Sequence, residues 1–136
     1  MKKRVLVIDD QPEICRLVER ALGEFGYDYR SVNDSTEAVQ LCRDWRPDAI
    51  FTDIFMPDKD GLEIIRELRK AAPDVVLLAM SGGGGAGDLD VLRTARLMGA
   101  RHVFAKPFSL RELTDVLHAL IGPGDPAEGN VTRAPG

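Results

Sequence analysis

The chain has 136 residues, 44% of them hydrophobic and 29% charged, with a formal net charge of -4. That is the size and balance of one globular domain, and no apolar run approaches the ~20 residues that a membrane-spanning helix needs. The charge leaves no excess of Lys and Arg to neutralise nucleic-acid phosphates, and Cys15 and Cys42 alone make neither a disulfide scaffold nor a four-ligand zinc site.

Met1-Lys2-Lys3-Arg4 is basic, but the apolar run behind it stops at Asp9, too short for a signal-peptide core of roughly 7–15 residues. The expectation is an unprocessed cytoplasmic protein. Val5-Leu6-Val7-Ile8 is continuously apolar, as a strand covered on both faces must be. Pro12 then suits the first turn of a helix, whose Ile14, Leu17, Val18, Ala21, Leu22 and Phe25 recur on one side until Gly26 stops it. Tyr27 to Val32 reads as a second, weaker strand. Asp34 or Ser35 caps a helix carrying Ala38, Val39, Leu41 and Cys42, which Pro47 closes. Ala49 to Asp53 is a third strand, followed by a loop through Pro57 and Gly61 and a helix over 62–72 that ends at Pro73.

Val75 to Met80 is the fourth strand, 82–87 a glycine-rich loop, 88–98 a helix, 103–105 a short fifth strand and 110–121 a last helix. Alternation of strand and helix periods is the mark of a βα repeat with a parallel sheet. The expected fold is therefore α/β, a doubly wound five-stranded parallel sheet flanked by five helices. Residues 122–136, GPGDPAEGNVTRAPG, hold almost no large apolar side chain and read as a disordered tail, which leaves 3–121 as the folded unit.

The strands end in polar residues. Asp9-Asp10 follows the first, Asp53 closes the third, Ser81 follows the fourth and Lys106 the fifth. In an open parallel sheet these C-terminal ends gather at one edge, where ligands bind. Three carboxylates meeting there repel one another unless a cation is bound, and Mg²⁺, with its preference for carboxylate and water oxygens, is the natural candidate. Lys106 adds a mobile point charge able to pair with a carboxylate or a phosphoryl oxygen. Such an assembly suits phosphoryl transfer.

With those residues in view, the sequence resembles the receiver domain of two-component response regulators over roughly residues 3–121. The resemblance rests on Asp9-Asp10, on Asp53 ahead of Met56-Pro57 and Gly61, on Ser81-Gly82 and on Lys106-Pro107-Phe108, all in order. It implies a flavodoxin-like sheet of strand order 2-1-3-4-5, with Asp53 as the phosphoacceptor. It implies Mg²⁺ held by Asp10 directly, by Asp9 mainly through bound water, by Asp53 and by the backbone carbonyl of Phe55. Ser81, Gly82 and Lys106 are implied to bind and report the phosphoryl group, with Pro107 a candidate cis proline. The implied partners are a histidine kinase or histidine phosphotransferase and a downstream effector protein, with no DNA and no membrane. A monomer or weak dimer that turns over nothing but its own phosphoryl group is expected.

Two departures stand out. The family often places Tyr or Phe three residues before the lysine, where the ring turns inward on activation, and here that position is Val103. Phe104 is adjacent but, by strand alternation, belongs to the opposite face of the sheet. The glycine run at 82–87 is longer than the connection usual in the family; it lacks the Gly-Lys-Ser/Thr ending of a nucleotide phosphate loop. Bland readings compete at each position: Asp9-Asp10 as helix caps, Ser81 as a turn residue, Trp45 and the cysteines as packing residues, His102 and His118 as surface residues. An aspartyl-phosphate hydrolase would need a second Asp where Phe55 stands. The remaining competitor is an interaction module that keeps the fold and works without phosphorylation.

Overall fold

The computed structural model describes residues 3–9, 11–53, 55–56, 59–81, 93–105 and 108–124, and the side chains among them except those of 55–56, 59–62 and 81. Five parallel strands form one sheet: β1 (Arg4–Ile8), β2 (Asp28–Val32), β3 (Ala49–Asp53), β6 (Val76–Ser81) and β7 (His102–Ala105), in the spatial order β2-β1-β3-β6-β7. Counting only these, the order is 2-1-3-4-5, as expected. A two-residue antiparallel pair, β4 (Phe55–Met56) with β5 (Lys59–Asp60), folds the chain back just after β3. No side-chain periodicity announces so short a pair.

Why these segments are strands follows from where their side chains go. Val5, Leu6, Val7 and Ile8 are all fully buried, which only a strand covered on both faces achieves. Alternation splits them between two cores: Leu6 and Ile8 join Ile50, Leu77 and Ala79 on one face, Val5 and Val7 join Phe51, Leu78 and Met80 on the other. Helices α2 (Ser35–Trp45) and α3 (Gly61–Ala71), together with α4 (described over residues 93–97), cover the first face through Ala38, Cys42, Ile64, Ile65, Leu68 and Ala95. Helices α1 (Pro12–Glu24) and α5 (Leu110–Ile121) cover the second through Val18, Leu22, Leu113 and Leu117.

Helix boundaries are set by local chemistry. The Asp34 side chain accepts from the Thr36 amide at 2.9 Å and the Ser109 hydroxyl from the Glu112 amide at 3.0 Å, each satisfying an otherwise orphaned donor for about 1 kcal/mol. Pro12 occupies the first turn of α1. Gly26, after that helix, has φ 83, a left-handed conformation that an L side chain would strain.

The periodicity of α1 overstates its burial. Leu17 and Phe25, expected on the inward side, are each 51% exposed, because the apolar stripe is wider than the strip that α5 and the sheet cover.

At the N-terminal edge of the sheet, Arg4 ties the elements together. Its amide donates to Asp48 Oδ2 at 2.8 Å, its guanidinium to the Trp45 carbonyl at 2.6 Å, and its carbonyl accepts from the Asp48 amide at 2.8 Å. The guanidinium groups of Arg4 and Arg30 sit 5.7 and 5.1 Å from the Trp45 ring centroid. Nearby, the Tyr27 hydroxyl donates to the Gly122 carbonyl at 2.8 Å, fixing where the chain leaves α5. Burial pushes the Tyr27 phenol up from its ordinary pKa, with the Gly124 backbone acting in the opposite sense.

Candidate functional site

The site lies at the opposite, C-terminal edge. Ile8 of β1 registers with Thr52 of β3, so Asp9 and Asp53, each one residue further on, end adjacent strands side by side. Both are buried, 1% and 3% exposed. Asp9 is held by the strand ladder, its amide donating to the Val32 carbonyl at 3.2 Å, and its Oδ1 accepts from the Gln11 amide at 2.9 Å. The Thr52 hydroxyl, fully buried, donates to the Asp53 carbonyl at 3.2 Å and fixes the end of β3.

Two buried carboxylates on neighbouring strands, spaced roughly 5 Å apart at the backbone, repel unless a positive charge joins them. Their hard oxygen donors fit Mg²⁺, which binds through one or two carboxylates and keeps several waters. Among the described residues no cluster of three such side chains forms; the third expected carboxylate, Asp10, lies outside the described residues. So do Gly82 and the rest of the glycine loop at 82–87, Lys106, Pro107 and residues 125–136. The backbone of Phe55 lies in β4 and that of Ser81 ends β6, so Asp53 and Ser81 close neighbouring strands as expected.

Val103 is half-buried on the face covered by α2 and α3, against the core that contains Ala95 and Ala100, while Phe104 is fully buried on the other face, as alternation predicts. Sequence reasoning missed what Phe104 does there. Its ring packs on Phe51, two residues before Asp53, and on Phe108, and all three centroid separations are 5.5 Å. Phe51 meets each of the other two rings edge-to-face and Phe104 and Phe108 are tilted against each other, an aromatic floor under the strand that carries Asp53. Part of the signal was available, since Phe51 shares the strand alternation of Asp53. Cys15 was also undervalued: its thiol donates to the Asp9 carbonyl at 3.4 Å, and it lines a cleft of about 310 Å³ beside Asp9 with Arg16, Glu19 and Ser31.

Comparison with known proteins matches this geometry. Residues 5–118 fit the family model of the response regulator receiver domain. The chain belongs to that family. Response regulator MprA of Mycobacterium sp. (strain KMS) is 35% identical over 130 residues, covering 95% of this chain and 55% of that protein. The receiver domain thus spans about half the length of the curated relatives it matches. Among solved structures, a response regulator receiver domain protein from Clostridium thermocellum has 28% identity and a TM-score of 0.80, covering 88% of this chain and 94% of that one. A response regulator from Burkholderia pseudomallei, solved with a phosphorylated aspartic acid, calcium ion and citrate, has 26% identity and a TM-score of 0.74, covering 97% and 73%. No helix among the described residues is long and apolar enough to cross a membrane.

Proposed function

We propose that Asp53 accepts a phosphoryl group from a phosphohistidine on a histidine kinase or a histidine phosphotransferase, and that the phosphorylated domain signals to a partner protein or passes the group on. The observation that carries this reading is the buried Asp53 carboxylate ending β3 beside the equally buried Asp9 of β1. An Asp53 carboxylate oxygen attacks phosphorus in line; the new P–O bond forms as the P–N bond to the donor breaks, and the imidazole leaves with its electron pair and takes up a proton. The product is an acyl phosphate. Asp9, Asp10, Asp53 and the Phe55 carbonyl would hold Mg²⁺, which when bound neutralises charge on the phosphoryl oxygens.

Ser81 and Lys106 bind phosphoryl oxygens in the product, the first by its hydroxyl and the second as a point charge. The acyl phosphate carries roughly -1.5 to -2 charges where the carboxylate carried one, which draws those two residues, and the loops that carry them, toward Asp53. The change is read at the surface without an inward-turning aromatic, because Val103 fills that position. The domain works in the cytoplasm and turns over no substrate beyond its own phosphoryl group.

Intact mass after incubation with Mg²⁺ and a small phosphodonor tests this. Wild type gains one phosphoryl group and Asp53→Asn gains none. No gain by wild type would leave an interaction module that uses the fold alone, and an equal gain by the variant would move the acceptor elsewhere.

A further inference from the structure

Phe104 and Phe108 flank Lys106 at equal distance along the chain, and Phe51 precedes Asp53 by the same step. These are the three rings that meet, each centroid 5.5 Å from the other two. Strand register explains the meeting. Asp53 is level with Met80 of β6 and Met80 with Phe104 of β7, so the three form one row across the sheet. Phe51, Met80 and Phe104 belong to the same core, on one face of that sheet. Phe51 and Phe104 have no exposure, so close packing fixes both rings, and the half-buried Phe108 rests on the pair.

The chain on either side of Lys106 is held outside the trio as well. Directly after Phe108, the Ser109 hydroxyl accepts from the Glu112 amide at 3.0 Å and fixes the start of α5. Before Phe104, the His102 ring lies 4.5 Å from the Phe104 ring, and its Nε2 lies 3.7 Å from Glu112 Oε2 in the same first turn of α5. A lysine carries its charge on a flexible four-carbon stem, so the reach of that charge is decided by where its backbone is held. We propose that Phe108, seated on Phe51 and Phe104, is a positioning residue for Lys106: the ring contact ties the segment that carries the lysine to the strand that carries the acceptor. The inference rests on the phosphoacceptor reading and names what sets the lysine's distance from Asp53. Phe108 acts through Lys106 and not on the phosphoryl group itself. A ring is required there, because a branched aliphatic chain of similar hydrophobicity cannot meet two rings at once with edge and face.

The rate of phosphoryl uptake from phosphoramidate, followed by intact mass at saturating Mg²⁺, tests this in a mutant cycle with Lys106→Ala. Circular dichroism confirms that each variant is folded, and calorimetry gives its Mg²⁺ affinity. Phe108→Leu slows uptake about fivefold and Phe108→Ala about tenfold or more, while Phe108→Tyr, which keeps the ring, restores most of the rate. Mg²⁺ affinity stays at the wild-type value in all three. In the slower Lys106→Ala background the same substitutions add nothing, since the group they position is gone. Equal fold-losses in both backgrounds overturn the proposal, as does a parallel fall in Mg²⁺ affinity, because either marks a general loosening of the core. So does a folded Phe108→Leu with the wild-type rate, or a Lys106→Ala with the wild-type rate. Should Phe108→Ala not fold, Phe108→Leu against Phe108→Tyr decides. A wild type that takes up no phosphoryl group overturns the phosphoacceptor reading and this one with it, a result distinct from uptake that is present and indifferent to Phe108.

Discussion

The two edges of the one sheet handle charge in opposite ways. At the N-terminal edge three cationic side chains have partners in place: the Arg4 guanidinium on the Trp45 carbonyl, Arg30 over the Trp45 ring, and the Arg69 guanidinium on the Val75 carbonyl at 2.8 Å. At the C-terminal edge two acids, Asp9 and Asp53, are buried on adjacent strands. Carboxylates brought this close repel each other, so the C-terminal edge gains from a positive charge placed between them. A receiver domain needs that division, because the site must gain from binding a cation and then from the shift in charge on phosphorylation.

The contrast is broken most severely from the stable edge. Trp45→Ala removes a nearly buried ring and both cation contacts, and is expected to cost about 3 kcal/mol in urea denaturation. Phosphorylation of the folded fraction stays at the wild-type rate; a lost rate would mean that the two edges are not separate. From the other edge the sign reverses. Asp53→Asn relieves like-charge burial and raises stability in Mg²⁺-free buffer by about 1–2 kcal/mol, and added Mg²⁺ then stabilises wild type more than the variant in thermal melts. A less stable variant in Mg²⁺-free buffer would contradict the electrostatic account.

A smaller effect comes from Tyr27→Phe, which loses the bond to Gly122 and about 1 kcal/mol. Because burial raises the Tyr27 pKa, its contribution is fully present below about pH 10 and disappears as pH rises through the raised value. Wild type and variant should therefore converge in denaturant midpoint in strong alkali, and parallel curves would show that the phenol stays neutral or is irrelevant. The smallest change is Arg30→Gln, which leaves the Trp45 ring one cation and costs about 0.5 kcal/mol by the same denaturation assay. A cost equal to that of Trp45→Ala would mean that Arg30, not the ring's burial, secures the edge.

Much of this was legible in the residues. The apolar run Val5 to Ile8 dictates a doubly covered strand, and Asp9, Asp53 and Ser81 fall at strand ends because each apolar run stops there. Alternation alone placed Val103 and Phe104 on opposite faces. What escaped was set by contacts distant in sequence. Periodicity identifies Leu17 and Phe25 as apolar-side residues but cannot tell how wide a strip α5 covers. Nothing local marks Arg4 and Arg30 as partners of Trp45, since the three meet only when β1, β2 and the end of α2 converge. The aromatic floor likewise needs β3 and β7 two strands apart in the sheet, with the Phe108 ring packed on a residue of each.

Trp45 is the only tryptophan of the sequence, and it sits beside Arg4 at the start of β1. Asp9 and Asp53 lie a strand's length away, roughly 16 Å along the sheet. Its emission is consequently a gauge of whether the sheet is assembled and is blind to events among the carboxylates. A fluorescence titration that shows no response to Mg²⁺ or to a phosphodonor therefore says nothing against either. An optical reporter of the site has to be introduced nearer to it, and replacing Phe108 with tryptophan would place one on the aromatic floor beneath the acceptor strand.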